Sequence, residues 1–480
     1  MVRYNPFRPG SIVTPGMFAG RYDELKSMEK ALFQTVKGNP QNFLILGERG
    51  IGKSSLLYCI QKVADGVIDP YEGPRFHFLT MSIVLEPSTS YLDIVHKVGN
   101  ELRRVVGERK PAAEFVKATW DFLKRWEVMG VKYAEREREP KPNELLDELV
   151  QAVEQTVVQF GAELQGVLIL IDEADKPSST ANLGEFVKLF TERLMKRGCR
   201  KVCLGLAGLS ILLENLRKSH ESSIRIFDIH TLEPLLPNER IRVVDAGLAD
   251  AKDENGFEVT ITEEAKQAIS DLSEGYPHFL QQFCYSAFDY DTDNEIDVRD
   301  VNAGALHPEM GAIQQLGLKY FHELYFDQIG SDEYREVLRA MAQHLDQWVE
   351  KSEIRKTLKI KESTLNNAIA ALKKKHIILF KPGVSGTYRL PTKSFAVWIR
   401  AFTKAMEVSG GTNGTATPPA SPRAITSALS LPAQAQRNPR ILSDPVKRHS
   451  QISSLACDWN HDANWKRCWE AVATPSDRVT

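Results

Sequence analysis

The chain has 480 residues, 42% hydrophobic and 26% charged with a net charge of −2, ordinary for a soluble protein of two or three domains. Its apolar runs are strand-length, well short of the roughly 20 residues a bilayer span needs, and Met1-Val2-Arg3-Tyr4-Asn5-Pro6 lacks a signal-peptide core, so a cytoplasmic location is expected. Six cysteines with no C-x-x-C pair point to reduced, mostly buried thiols rather than disulfides or a zinc site.

The first 40 residues carry Phe18-Ala19-Gly20-Arg21 and then an amphipathic helix with Leu25, Met28 and Leu32 on one side. The apolar run Phe43-Leu44-Ile45-Leu46 follows and leads into Gly47-Glu48-Arg49-Gly50-Ile51-Gly52-Lys53-Ser54, which fits G-x-x-x-x-G-K-[ST]. Three glycines let successive backbone N–H groups surround a β-phosphate, and the helix opened by Ser54 and Ser55 adds the positive end of its dipole. Lys53 is then placed for the β- and γ-phosphates and the Ser54 hydroxyl for Mg²⁺.

A second strand is expected near residues 76–84, and about 80 residues of helical periodicity follow, interrupted by the charged stretch Glu135-Arg136-Glu137-Arg138-Glu139. Val167-Leu168-Ile169-Leu170-Ile171-Asp172-Glu173 is an apolar strand ending in acids, as a buried parallel strand with carboxylates at its C-terminal edge requires. Asp172 is positioned to hold Mg²⁺ through its water shell, and Glu173 to orient and deprotonate the water that attacks the γ-phosphate. Phe186, Leu189, Phe190 and Leu194 mark a helix; Lys201 to Ala207 is a further buried strand and Ile224 to Ile229 a short one. Strands alternating with helices predict an α/β core around a parallel sheet.

From Leu232 to about Val301 strand signal is lost and a helical lid is expected, with Gly275-Tyr276-Pro277-His278 inside it. Residues 331–404 form a third unit. Tyr334, Val337, Leu338 and Met341 make one helix face, residues 352–358 a second helix, and Leu365, Ile369 and Leu372 the inward stripe of a third; two short strands bracket Lys381-Pro382-Gly383. This is helix-turn-helix with a hairpin wing. Residues 351–404 hold thirteen Lys and Arg against two Asp and Glu, a local +11 that leaves −13 for the remainder, so this face is suited to an anion. Ser363, Asn366, Asn367 and Lys374 lie off the inward stripe and face a major groove in a DNA-binding reading, with Lys381, Arg389 and Lys393 near phosphates; the alternatives are a solvated basic face or an acidic protein partner. The chain divides into a core (1–231), a lid (232–325), a winged helix-turn-helix (326–408) and a tail (409–480). Most of the tail is rich in Gly, Ser, Thr, Pro and Ala and expected to be disordered; Cys457, His461 and Cys468 near its three tryptophans have poor zinc spacing.

Over residues 7–404 these motifs resemble AAA+ ATPases of the origin-recognition type, close to the signalling ATPases called STAND. The stretch Phe18 to Leu25 looks like that family's opening motif, and Gly275-Tyr276-Pro277 like its lid motif, which implies that Pro277 touches the nucleotide base. The resemblance implies an ATP hydrolase using ATP and Mg²⁺, with double-stranded DNA or a regulatory protein as partner. It also implies homo-oligomers in which a neighbour inserts an arginine; Arg217 and Arg225 are the candidates, each reading equally as a surface charge. Two departures stand out: only Ser210 is polar where the family places a γ-phosphate sensor, and His278 stands where relatives carry an arginine.

Overall fold

Five parallel strands form the central sheet: β1 (Asn42–Leu46), β2 (Phe78–Val84), β3 (Gly166–Asp172), β4 (Val202–Gly208) and β5 (Phe227–Thr231), in the order β2-β3-β4-β1-β5. The computed structural model describes residues 3–13, 18–108 and 142–409, apart from 308, 346, 359 and 376. The charged stretch 135–139 and the tail with its cysteines and tryptophans lie outside the described residues.

Alternation along each strand divides the sheet's side chains between two cores. Phe43, Ile45, Leu168 and Leu170 pack under α1 (Tyr22–Val36) and α2 (Lys53–Ala64). Leu44, Leu46, Ile169, Ile171, Leu204 and Leu206 face the other side, under α3 (Tyr91–Glu108), α4 (Pro142–Gln159) and α5 (Leu183–Lys196). Both faces are covered, so these strands are apolar throughout rather than alternating. Leu25, Met28 and Leu32 of α1 and Phe186, Phe190 and Leu194 of α5 are buried as their spacing predicts.

One expected strand needs correction. Ile224 to Ile226 lies in a 3-10 turn (Ser223–Ile226), and β5 begins only at Phe227. The alternation of apolar and charged residues there imitates a strand, but Arg225 N–H is spent on Ser222 O at 3.2 Å. The turn follows α6 (Ile211–Ser219).

The segment expected as a lid comprises α7 (Pro237–Asn255), α8 (Glu263–Ser273), α9 (Pro277–Tyr290), α10 (Val298–Leu306) and α11 (Ala312–Leu316). Thr262 caps α8 by accepting Ala265 N–H at 3.2 Å. Its strand content is a two-residue parallel pairing, β6 (Thr260–Ile261) with β7 (Glu295–Ile296), which sequence reading missed. Residues 3–8 pack on the lid: Arg3 pairs with buried Asp291 at 2.6 Å, and Phe7 sits edge-to-face on Phe288.

After two π-helical turns at Gly317–Phe321 and Glu323–Asp327 come α12 (Asp332–Ala342), β8 (Val349–Glu350), α13 (Lys351–Thr357), α14 (Glu362–Lys374), β9 (Leu379–Phe380), β10 (Thr387–Arg389) and α15 (Lys393–Ser409). The three strands form an antiparallel sheet in the order β8-β10-β9. β8 and α15 were not read from the sequence. α15 buries Phe395 and Trp398 in a core continuous with that of the lid. No helix among the described residues is long and apolar enough to cross a membrane.

Candidate nucleotide site and basic face

The parallel register brings the ends of β1, β3 and β4 to one rim, with Leu46 opposite Gly208 and Asp172 opposite Val84. β4 separates the two motif-bearing strands, so they stand about 10 Å apart at the usual strand spacing. The end of β4 joins them. Gly208 O accepts Gly47 N–H at 3.3 Å, Ala207 O accepts Ala174 N–H at 2.9 Å, and Asp175 Oδ1 accepts Leu209 N–H at 2.9 Å.

Residues 47–54 form the expected loop. Gly50 (φ 78°) and Gly52 (φ 99°) take left-handed backbone that a side chain would strain, and Gly52 caps α2. Ile51 is buried as the loop's apolar anchor. Lys53 Nζ donates to Gly47 O and Glu48 O, each at 2.9 Å, lying across the loop where phosphate oxygens are expected. Burial lowers its pKa, opposed by the charges of Asp175, Glu173 and Asp172, in that order. Of these three acids Asp175, given no role in the sequence reading, acts most strongly on the lysine.

Asp172 Oδ1 accepts Glu173 N–H at 2.8 Å, and Glu173 itself is left-handed at φ 53°. That conformation is costly for a residue with a side chain and turns the chain sharply after β3. Glu173 carries an ion pair with Lys176 at 3.6 Å.

A cavity of about 500 Å³ lies over the loop. Arg49, Gly50, Gly52, Lys53, Ser54, Ser55 and Glu173 form one side; Pro277, His278, Gln281, Lys319 and Tyr320 form the other, with residues 8–13 along its edge. Leu209, not Ser210, lines it, so the polar sensor candidate stands outside the lining. Asp172 too is outside the lining and acts through its charge on Lys53. The edge segment is pinned at both ends: Arg8 N–H donates to Gln281 Oε1 at 2.9 Å, and Val13 N–H to Ser55 Oγ at 3.3 Å. Sequence reading missed this segment and Lys319; the Pro9-Gly10 turn was its only local signal.

Lid and loop are in direct contact. His278 N–H donates to Gly50 O at 3.2 Å and Tyr276 Oη to Glu48 Oε2 at 2.7 Å. Arg49 faces Glu323 at 3.9 Å. The opening motif also has a mechanical role: Arg21 N–H donates to Glu239 Oε1 of α7 at 3.0 Å, and its guanidinium to Ile51 O at 3.1 Å. Burial, and next the charge of Lys319, push the His278 imidazole down to about 4, so it is neutral at pH 7. Its Nε2 has no hydrogen-bond partner.

Magnesium chemistry fits this donor set. Among the described residues no cluster of three or more His, Cys, Asp or Glu could cage a metal. Mg²⁺ takes only one or two protein oxygens when phosphates and water complete its shell; Ser54, which lines the cavity, would be one, while Asp172 stands outside the lining.

The basic unit presents Ser363, Asn366, Asn367 and Lys374 on the exposed face of α14, and Lys381 on the exposed hairpin. Asn367 lines a concavity shared with residues 328–334, beside which Lys375 Nζ donates to Gln328 O. Arg389 is half-buried with its guanidinium 5.2 Å from the Trp348 ring centroid, and so serves the unit's own packing. Arg217 and Arg225 are exposed on α6 and the turn before β5, outside the cavity lining.

Residues 17–196 match the family model described as AAA ATPase domain. An HTH-type transcriptional regulator of Methanocaldococcus jannaschii, itself described as uncharacterized, is 26% identical over an alignment of 310 positions that covers 59% of this chain. The match spans 66% of that relative, just under two thirds of its length. Among solved structures, the ORC2 protein of Aeropyrum pernix in ADPNP–ADP complexes is 13% identical with a TM-score of 0.50, covering 85% of this chain and 99% of that one. The Walker-type ATPase of Pyrococcus abyssi is 20% identical with a TM-score of 0.48, covering 80% and 96%.

Proposed function

We propose that this chain, whose residues 17–196 are an AAA ATPase domain in the fold of the archaeal origin-recognition proteins, binds and hydrolyses ATP with Mg²⁺ and uses nucleotide state to set duplex DNA binding by its basic unit. The observation that carries the reading is the single cavity where Lys53, Ser54 and Glu173 meet Pro277 and His278 of the lid. One ATP there contacts both sheet rim and lid, so loss of the γ-phosphate alters their relative position.

In this reading Lys53 binds the β- and γ-phosphates, the loop N–H groups hold the β-phosphate, and Pro277 packs on the base. Mg²⁺, held by Ser54 and Asp172, neutralises charge on the phosphates. Glu173 accepts a proton from the attacking water. The positive unit of residues 326–408 is a winged helix-turn-helix whose α14 reads the major groove, in keeping with the description of the methanogen relative as an HTH-type transcriptional regulator.

Binding of the full chain to a duplex, with ADP or a non-hydrolysable ATP analogue at several salt concentrations, tests this. If about six cations neutralise phosphates, log K falls against log salt with a slope near −5 and differs between the nucleotides. Reversing the charges of Lys373, Lys374 and Lys375 then abolishes binding. A flat salt response would reject the DNA partner and favour nucleotide-gated binding of a regulatory protein, a reading supported by exposed Phe380 and Val384 on the hairpin.

A further inference from the structure

Besides Lys53, the cavity lining carries three permanent cations, Arg8, Arg49 and Lys319. Arg49 faces Glu323, and Arg8 donates to Tyr4 Oη, which in turn donates to Asp250 at 2.9 Å. The third is Lys319. Its Nζ donates to the neutral Gln282 Oε1 at 3.1 Å, and among the described residues it forms no ion pair. The next residue, Tyr320, stands against the loop: a Cβ on Gly50 would lie 3.1 Å from Tyr320 Oη. His278, whose N–H contacts the loop, supplies no positive charge at neutral pH.

We propose that Lys319 is the lid-side cation that recognises the terminal phosphate of ATP, an assignment that rests on the ATP reading of the cavity. Lys319 lines the same cavity as Lys53 and Glu173, and Gln282 Oε1 accepts its ammonium. ADP lacks the group it contacts, so this lysine separates the two nucleotides. Burial lowers its pKa with no acid to offset the cost, as suits a charge whose counter-ion arrives with a ligand.

The same residue links the cavity to the basic unit. Lys319 lies in the π-helical turn Gly317–Phe321, a geometry that recurs at functional sites. Phe321 packs on Phe395 and Trp398 of α15, with ring centroids 5.1 and 6.0 Å away. The second π-turn is tied to α12 by Arg335, which donates to Tyr325 O at 3.2 Å, and the connector beyond it by the same side chain to Ile329 O at 2.7 Å. A phosphate pulling on Lys319 therefore acts on a segment keyed directly into the unit that carries α14.

Equilibrium titration of the full chain with ADP and with a non-hydrolysable ATP analogue, in the parent, Lys319→Ala and Lys319→Arg, tests the assignment. Removing one charge-assisted contact should weaken the analogue about tenfold or more in Lys319→Ala while ADP stays within about twofold, and Lys319→Arg should keep the parent's preference. Retained ADP binding doubles as the proof that the variant is folded. Equal weakening of both nucleotides, or an unchanged ratio in a parent that binds them normally, would overturn the role of Lys319 alone. A parent that binds neither nucleotide would instead overturn the ATP reading, and this inference with it.

Discussion

The backbone N–H of His278 donates to the carbonyl of Gly50 at 3.2 Å, hooking the first turn of a lid helix onto the middle of the phosphate loop. The contact needs a bare α-carbon. A Cβ on Gly50 would stand 3.1 Å from Tyr320 Oη and 3.2 Å from His278 Cβ, on backbone with φ 78°. Gly50→Ala is therefore expected to cost about 1–2 kcal/mol and to weaken nucleotide binding at least tenfold by lifting the lid. Thermal melts and nucleotide titration check it; wild-type behaviour in both would refute the docked lid.

Phe7 is a second tie between distant parts of the chain. It is 2% exposed, seated against Gly247 and Phe288, and followed directly by the segment that edges the cavity. Phe7→Ala should lower stability by about 3–5 kcal/mol, as large aromatic deletions in cores do. Chemical denaturation measures the loss. A change under about 1 kcal/mol would mean that residues 3–8 are not anchored on the lid.

Glu29 gives a pH dependence. The residue is 4% exposed and its carboxylate accepts Tyr71 N–H on both oxygens at 3.1 and 3.0 Å, yet burial raises its pKa to about 7. The folded pKa lies above the unfolded one, so the unfolded chain ionises first and stability from this group falls as pH rises from about 4.5 to about 7. Glu29→Gln keeps an acceptor for Tyr71 without the buried charge. It should stabilise the protein by on the order of 2 kcal/mol at pH 8, with the gain vanishing near pH 4.5. Melting temperatures across that range decide it; a destabilised variant at pH 8 would contradict the sign.

Much of the candidate site was legible because its pattern is local. Phe43 to Leu46 and Val167 to Ile171 are apolar on both faces, which only a buried parallel strand needs, and the glycines, Lys53 and the acids follow at fixed offsets. Thr262 at the N-cap of α8 and Pro277 in the first turn of α9 are likewise local signals of a helix start. What escaped was set by distant contacts. Lys319 reaches the cavity because π-helical turns rotate the chain out of the 3.6-residue register, and residues 8–13 because Phe7 is anchored on the lid. β8 is two residues long, too short for any period, and Arg389 read as exposed because Trp348 beneath it is 41 positions away in sequence.

In the proposed function Lys53 and the acids at the end of β3 serve one magnesium nucleotide. Calorimetric titration of the full chain with ATP and Mg²⁺, beside Lys53→Ala and Glu173→Gln, tests it most directly. Saturable one-site binding by the parent, loss of about tenfold or more in affinity in Lys53→Ala, and intact binding without turnover in Glu173→Gln are the predicted results. No binding heat from the parent at any temperature, or equal affinity in the parent and Lys53→Ala, would contradict it.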